Sequence, residues 1–191
     1  MLPRRKSSLM GNLEDYIQIY ENTLSNQICE ELIDYFENNK NKHQRIDNKG
    51  FPTFTQLNLT QNKEEKQNIH NFLLKKVLEY RDKYYKIFGE KLFPSSHMLE
   101  EFRIKRYNIG GEDRFDTHVD VSDYPSAKRF LSFFWYLNSV EEGGETIFNK
   151  LKIKPTAGKL VIFPPLWLFP HKGNIPISGK KYILSTYLHY K

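Results

Sequence analysis

The hydrophobic pattern of the first ninety residues predicts two amphipathic helices. Ser25 offers an N-cap, and apolar residues then recur at helical spacing from Ile28 to Phe36. A longer pattern of the same kind runs over residues 63–85 and predicts a second helix. Ahead of both, residues 13–20 alternate weakly between apolar and polar, so we expect a short strand there.

After residue 97 the pattern changes to short apolar segments separated by glycine and proline. Residues 102–107 alternate, with Phe102 and Ile104 on one face and Arg103, Lys105 and Tyr107 on the other. The further segments are residues 130–138, 146–148, 159–163, 166–169 and 182–190. Two helices followed by about eight short strands predict an α+β, mainly β protein, with helices packed on an antiparallel sandwich or barrel.

The chain length of 191 residues is that of a single domain. We expect a flexible basic tail over residues 1–12 and one domain over residues 13–191. Within that domain, residues 13–97 supply supporting helices and loops, and residues 98–191 form the β core.

The composition excludes several classes of protein. With 39% hydrophobic and 27% charged residues, the chain is neither disordered throughout nor a membrane protein, and no stretch reaches the ~20 apolar residues that span a bilayer. The basic N-terminus has no apolar region behind it, so we expect no secretory signal. A single cysteine excludes an internal disulfide framework and a multi-thiolate zinc site. We therefore expect a cytoplasmic protein.

The net charge of +6 indicates a basic surface that attracts anions, including nucleic acid, small acids and acidic peptides. Arg4, Arg5 and Lys6 concentrate part of this charge in the tail. A lysine-rich solvated surface is the simpler interpretation and assigns the charge no partner.

Two histidines and an aspartate make a candidate metal site. His118 and Asp120 lie two residues apart and point to the same side of an extended segment. Alone they fit equally a surface histidine beside a loop carboxylate. His171, after a later apolar run, supplies a third ligand. Two histidines and one carboxylate are the facial triad of Fe(II) oxygenases, which leaves positions open for substrate and dioxygen.

Lys181 lies ten residues after His171, at the start of an apolar strand. A lysine inside a barrel is costly unless it meets an anion, and a carboxylate of 2-oxoglutarate is such a partner. Ser185 shares a strand face with Lys181, and the polar tip of Tyr136 suits the same task. The alternative is a solvated lysine equivalent to its neighbour Lys180.

Four motifs occur together within residues 98–190. They are Tyr107 ahead of a glycine-containing loop and His118-x-Asp120, the run FFWYLNSVEEGGETIF, the histidine His171, and the run GKKYILSTYLHY. In this combination the chain resembles the prolyl 4-hydroxylase-like branch of the 2-oxoglutarate/Fe(II)-dependent dioxygenases.

This resemblance implies a double-stranded β-helix (jelly-roll) core supported by the N-terminal helices. The residues that it implies for the site are His118, Asp120 and His171 as Fe(II) ligands, Lys181 as the partner of 2-oxoglutarate, Tyr136 as a further contact of the co-substrate, and Tyr107 as a contact of co-substrate or substrate. The implied reaction uses dioxygen, hydroxylates an unactivated C–H bond, releases succinate and CO₂, and is supported by ascorbate as reductant.

Three kinds of function stay open. A peptide or protein substrate, hydroxylated on a prolyl or other residue, fits the resemblance. A nucleic-acid substrate fits the charge, whereas lysine at position 181 disfavours it, since nucleic-acid oxygenases of this superfamily typically use arginine there. A jelly-roll binding module without activity, or an oxygenase of small molecules, is the remaining alternative. Residues 39–60, where a substrate lid is expected, match no motif, and the oligomeric state is open.

Overall fold

A computed structural model describes residues 11–47, 52–111 and 113–191. This described part contains two α-helices, α1 (Asn26–Asn38) and α2 (Gln67–Phe88). Its strands are β1 (Gln18–Tyr20), β2 (Gln44–Asp47), β3 (Thr53–Asn58), β4 (His97–Leu99), β5 (Arg103–Tyr107), β6 (Phe115–His118), β7 (Arg129–Tyr136), β8 (Thr146–Phe148), β9 (Leu151–Ile153), β10 (Leu160–Phe163), β11 (His171–Gly173) and β12 (Lys181–Tyr190).

Both helices form where the apolar periodicity predicts them. The side chain of Ser25 accepts a hydrogen bond from the backbone N–H of Ile28, which confirms the predicted N-cap of α1. Helix α2 begins at Gln67, after a 3₁₀ turn over Lys63–Lys66, and so starts later than its apolar pattern. The two helices bury their apolar faces together with one side of the larger sheet.

The strands form two antiparallel sheets of a jelly roll. The large sheet has the strand order β1-β10-β7-β12-β5-β3-β2, with β4 paired to the far end of β12. The small sheet has the order β6-β11-β8-β9. The fold is therefore the α+β, mainly β jelly roll with supporting helices that the sequence predicts.

Strand β7 explains how the large sheet is held between two layers. Leu131, Phe133 and Trp135 point to the helices, whereas Phe134 and Tyr136 point to the small sheet. Because both faces are covered, β7 is apolar at nearly every position rather than at alternate ones. The central strands β7 and β12 thereby form a rigid base for the side chains between the sheets.

One sequence-based prediction of a strand is confirmed in part, and another is wrong. Within residues 13–20 the predicted short strand forms as β1, after a 3₁₀ turn over Leu13–Tyr16. Residues 166–169 form a turn, closed by a hydrogen bond from the Phe169 N–H to the Leu166 carbonyl. Prolines on both sides of this segment lack the N–H that a sheet ladder needs, which is why its apolar residues do not pair as a strand.

The segment 39–60 contains structure that the sequence analysis does not predict. Strands β2 and β3 pair there as a hairpin, and β3 pairs with β5, so the hairpin extends the edge of the large sheet. Residues 48–51, which join the two strands, lie outside the described part of the chain. Residues 1–10, most of the predicted basic tail, also lie outside it, and the division into tail and domain stays a prediction.

No helix in the described ranges has the length and apolar character needed to cross a membrane.

A buried polar link ties the N-terminal segment to the large sheet. The Thr23 hydroxyl donates to the Gly158 carbonyl at 2.8 Å and accepts from the Trp135 indole N–H at 2.9 Å. Thr23 and Trp135 are both buried, so neither group has water as a substitute partner.

The substitution Thr23→Val tests this link. It leaves the Trp135 indole N–H without its partner, whereas the Gly158 carbonyl still accepts from the backbone N–H of residue 23, so we expect the free energy of unfolding to fall by about 1–3 kcal/mol. Thr156→Val is the matched control, because the Thr156 hydroxyl makes no hydrogen bond in the described structure, and its effect should stay within about 0.5 kcal/mol. Equal effects of the two substitutions in urea unfolding would contradict the assignment.

Candidate active site

The pairing of β6 with β11 brings two histidines together. His118 and His171 are direct partners in the antiparallel register, and their ring centroids lie 4.2 Å apart. Asp120 follows His118 by two residues, just beyond the end of β6. The side chains that the sequence predicts as one cluster therefore lie at one end of the small sheet, facing the large sheet.

The donor atoms of these three side chains lie within 4.8 Å of one another. Asp120 Oδ1 lies 3.6 Å from His118 Nε2 and 3.9 Å from His171 Nε2. Both distances are too long for a hydrogen bond, so the three groups converge without satisfying one another. Such a convergence of imidazole nitrogens and a carboxylate is what a divalent metal ion requires.

The outer ring nitrogens fix the tautomers of both histidines. His118 Nδ1 lies 2.7 Å from the Asp116 carbonyl, and His171 Nδ1 lies 3.1 Å from the Phe169 carbonyl. A carbonyl only accepts, so each Nδ1 carries the proton and each Nε2 presents a lone pair. His118 Nε2 is buried and has no hydrogen-bond partner among the described residues, so its lone pair is free to bind a metal ion.

The electrostatics keep Asp120 ionised. Burial raises the pKa of Asp120, but the neighbouring His171, His118 and Lys105 favour the carboxylate more strongly, and the net pKa lies well below its usual range. Burial lowers the pKa of His171, which favours the neutral imidazole. A carboxylate and two imidazoles on one side of a cavity fit Fe(II) with open positions.

Lys181 lies in the same cavity and is only 3% exposed. Its ammonium group donates to the Gly144 carbonyl at 3.1 Å and lies 4.7 Å from the centre of the Tyr107 ring. It forms no ion pair with any described residue. Burial lowers the pKa of Lys181 to about 8, whereas Glu145 acts in the opposite direction. A buried cation with one neutral acceptor fits a bound anion.

The Gly143–Gly144 turn positions the acceptor of Lys181. Both glycines have positive φ values, 76° and 74°, which side chains rarely adopt. A Cβ atom on Gly143 would lie 2.3 Å from the Ile175 carbonyl oxygen. The paired glycines of the predicted motif therefore let the chain turn tightly beside Lys181.

The other predicted co-substrate contacts are placed differently. Tyr107 lines the cavity beside Lys181, as expected. Tyr136 is fully buried, and its hydroxyl donates to the Thr146 hydroxyl at 2.6 Å. It is Thr146 that faces the cavity, so Tyr136 touches the site through Thr146.

Ser185 lines the cavity at the other end from Lys181. Four residues of β12 separate the two, a distance of ~13 Å along a strand. This is too far for both side chains to contact one carboxylate, because Ser185 is short. Ser185 therefore lies at the opening of the cavity, and we do not assign it to the binding of the co-substrate.

Several cavity residues escaped the sequence analysis. Phe115, Thr146, Tyr187 and Lys105 line the same space as the predicted residues. The alternation of β5 places Lys105 on the face of Tyr107, which is the signal that could have identified it. Thr146 and Tyr187 belong to the quoted motifs but have no distinguishing spacing.

A larger cavity lies outside this site. It has a volume of about 680 Å³ and borders the outer side of the small sheet, between residues 12–17 and residues 147–150. His171 contributes to its wall, but Asp120, His118 and Lys181 do not. We therefore place the chemistry in the smaller cavity between the sheets, where the donor atoms and the buried lysine meet.

Comparison with known proteins agrees with this geometry. The model of the 2OG-Fe(II) oxygenase superfamily matches residues 102–189. These residues therefore resemble members of that superfamily. They hold both histidines, Asp120 and Lys181, and the likeness is to its prolyl 4-hydroxylase-like branch.

Among sequence relatives, the Arabidopsis thaliana protein named Probable prolyl 4-hydroxylase 9 is 31% identical over 134 residues, covering 54% of this chain and 45% of the relative. Prolyl 4-hydroxylase 13 of the same plant is 30% identical over 127 residues, covering 50% of this chain and 44% of the relative. The chain thus spans less than half the length of the curated relatives that it matches.

Solved structures share this fold. The viral collagen prolyl hydroxylase of Paramecium bursaria Chlorella virus-1, solved with 2-oxoglutarate, has a TM-score of 0.71 at 23% identity, covering 92% of this chain and 97% of its own. A Trichoplax adhaerens prolyl hydroxylase in complex with a hypoxia inducible factor peptide has a TM-score of 0.69 at 13% identity, covering 91% and 83% of the two chains.

Metal binding is expected to stabilise the protein through the histidine pair. Manganese(II) at about 100 times its Kd should raise the free energy of unfolding by about 2.7 kcal/mol. His171→Ala should abolish this increase, because it removes one of three donors. His97→Gln, on the distant strand β4, should keep it. Thermal unfolding with and without manganese measures both, and an undiminished shift in His171→Ala would refute the assignment.

Proposed function

We propose that this chain is an Fe(II)- and 2-oxoglutarate-dependent oxygenase that hydroxylates an unactivated C–H bond of a peptide or protein. The observation that carries the proposal is the arrangement of one cavity. His118, Asp120 and His171 converge at its wall, and the unpaired Lys181 lies in the same space. The match of residues 102–189 to the model of the superfamily supports the same chemistry.

In this proposal His118, Asp120 and His171 hold Fe(II), and Lys181 holds a carboxylate of 2-oxoglutarate. With both bound, the site supplies the oxidising power for the net reaction R–H + 2-oxoglutarate + O₂ → R–OH + succinate + CO₂. The backbone carbonyls of Asp116 and Phe169 keep the Nε2 atoms of the two histidines free as ligands.

The remaining cavity residues orient the co-substrate and exclude water. Tyr107 covers the Lys181 ammonium with its ring, and Thr146 presents a hydroxyl that Tyr136 holds in place. Phe134 and Phe163 close the apolar side between the two sheets. A dry wall strengthens the attraction between Lys181 and an anion.

The opening of the cavity supports a substrate larger than a free metabolite. A groove of about 270 Å³ leads outward from Asp120 between the β2–β3 hairpin and β12. Ile46 and Phe54 of the hairpin form one wall, and Arg129 and Tyr187 form the other. The relatives named prolyl 4-hydroxylases favour a prolyl residue as the target. We propose ascorbate as the reductant that keeps the iron active.

The assay that tests the proposal is succinate release from 2-oxoglutarate under air with Fe(II) and ascorbate. We expect proline-containing peptides to stimulate release and to gain one oxygen atom by mass spectrometry. His118→Ala should show no turnover. Single-stranded nucleic acid, the alternative substrate, should give no stimulation. Stimulation by nucleic acid alone would reverse the choice of substrate, and no turnover by the wild type would refute the activity.

The role of Lys181 is tested separately by binding of 2-oxoglutarate. Lys181→Met removes the cation from a buried ion pair, so we expect the Kd for 2-oxoglutarate to rise at least about thirty-fold, or ~2 kcal/mol. Lys180→Met is the matched control, since Lys180 is exposed, and should leave the Kd within twofold. Calorimetric titration of the manganese-loaded protein measures both, and an unchanged Kd in Lys181→Met would exclude it as the anchor.

A further inference from the structure

A second lysine faces the cavity, and the reaction as described does not use it. Lys105 lies on β5, two residues before Tyr107, and points into the same space. It also lines the outward groove. Of the described residues that border both the cavity and the groove, Lys105 carries the sole cationic side chain.

Lys105 has no partner that neutralises it. Its ammonium group makes no hydrogen bond and no ion pair with a described residue. Its ammonium nitrogen lies 5.2 Å from the centre of the Phe54 ring on the β2–β3 hairpin. Burial lowers the pKa of Lys105 to about 8, and Asp120 opposes that effect from beyond ion-pair distance. A half-buried cation in this position costs free energy unless an anion meets it.

The other cations of the groove are already paired. Arg103 forms ion pairs with Glu101 and, at 3.8 Å, with Glu100. Arg129 pairs with Glu100 at 2.7 Å and donates to the Asp120 carbonyl at 2.9 Å. Both arginines therefore have carboxylate partners within the chain, so the groove offers an incoming anion one free cation among its described residues.

Lys105 and Lys181 lie at different depths of the cavity. Two residues of strand, ~7 Å, lie between Lys105 and Tyr107, and Tyr107 is the register partner of Lys181. Lys181 therefore serves an anion deep in the cavity, and Lys105 serves one at the opening. In the register of the large sheet, Lys105 pairs with Ile183, so no side chain from the neighbouring β12 position competes for its ammonium group.

We propose that Lys105 is a specificity-determining residue that pairs with a carboxylate of the substrate. The preferred peptide then carries an aspartate or glutamate next to the residue that is hydroxylated. Attraction to this acid places the target C–H bond beside Asp120 and the two histidines. The inference rests on the proposed function, because it assumes a peptide that enters through this groove.

The test uses fluorescein-labelled ten-residue peptides with one proline in a Gly/Ser background. Each pair of peptides differs only by Glu or Gln at one position, directly before or directly after the proline. Fluorescence anisotropy gives the Kd for the protein loaded with manganese(II) and 2-oxoglutarate. For one of the two positions we expect the Glu peptide to bind at least about tenfold more tightly than the Gln peptide.

Variants assign the preference to Lys105. Lys105→Met should reduce it to less than twofold, while the Kd for 2-oxoglutarate stays within twofold of the wild type. Lys75→Met, which removes an exposed lysine of α2, should keep the full preference. If Lys105→Met does not fold, as judged by its thermal transition, Lys105→Gln replaces it.

Three results would overturn the proposal. The first is that the wild type shows no preference for the acidic peptide, or binds no acidic peptide at all. The second is that the preference survives Lys105→Met. The third is that Lys105→Met mainly weakens the binding of 2-oxoglutarate. The last result would assign Lys105 to the co-substrate instead. Failure of the proposed function is distinguishable, because it appears as no succinate release, whereas peptide preference is read from binding without turnover.

Discussion

The antiparallel register of β6 and β11 is the constraint on which the candidate site depends. It sets His118 directly opposite His171 at the mouth of the jelly roll. Side chains alternate along a strand, so a slip of one residue would turn one histidine away from the cavity. Asp120, two residues beyond His118, shares this orientation and completes the cluster. The convergence of the three candidate ligands is thus a consequence of strand pairing.

The large sheet supplies the second half of the site. Its central strands are covered by α1 and α2 on one side and by the small sheet on the other, so their side chains have little freedom. Lys181 begins β12 within this packed layer and is held by the Gly144 carbonyl from the turn before β8. The two sheets therefore present complementary groups to one space, with donor atoms from the small sheet and a cation from the large sheet.

The sequence predicts the parts of this arrangement that depend on local pattern. Ser25 and the apolar residues behind it define α1, and the spacing of His118 and Asp120 defines one edge of the candidate metal site. The mainly β architecture also follows from the alternation after residue 97. What the sequence does not show depends on contacts between distant segments. In the β2–β3 hairpin, β2 has no buried residue, and β3 buries Phe54, Thr55 and Leu57 where it pairs with β5, a distant segment of the chain.

Contacts between distant segments also decide which individual side chains face the cavity. Tyr136 has the apolar body and polar tip of a cavity residue, but in the fold its hydroxyl reaches Thr146, so Thr146 faces the cavity. Lys105 looks like any solvated lysine until β12, β6 and Phe54 surround it. Burial lowers the pKa of a lysine and makes its ammonium group costly without an anionic partner. Because burial depends on how distant segments pack, the neighbouring residues in the sequence do not predict it.

The central claim is that one cavity holds the metal and the co-substrate together. The most direct test is anomalous diffraction from crystals of the protein grown with manganese(II) and 2-oxoglutarate. The account predicts one strong anomalous peak among His118 Nε2, Asp120 Oδ1 and His171 Nε2, with a carboxylate of 2-oxoglutarate on the Lys181 ammonium. A peak at another place, or 2-oxoglutarate bound away from Lys181, would contradict it.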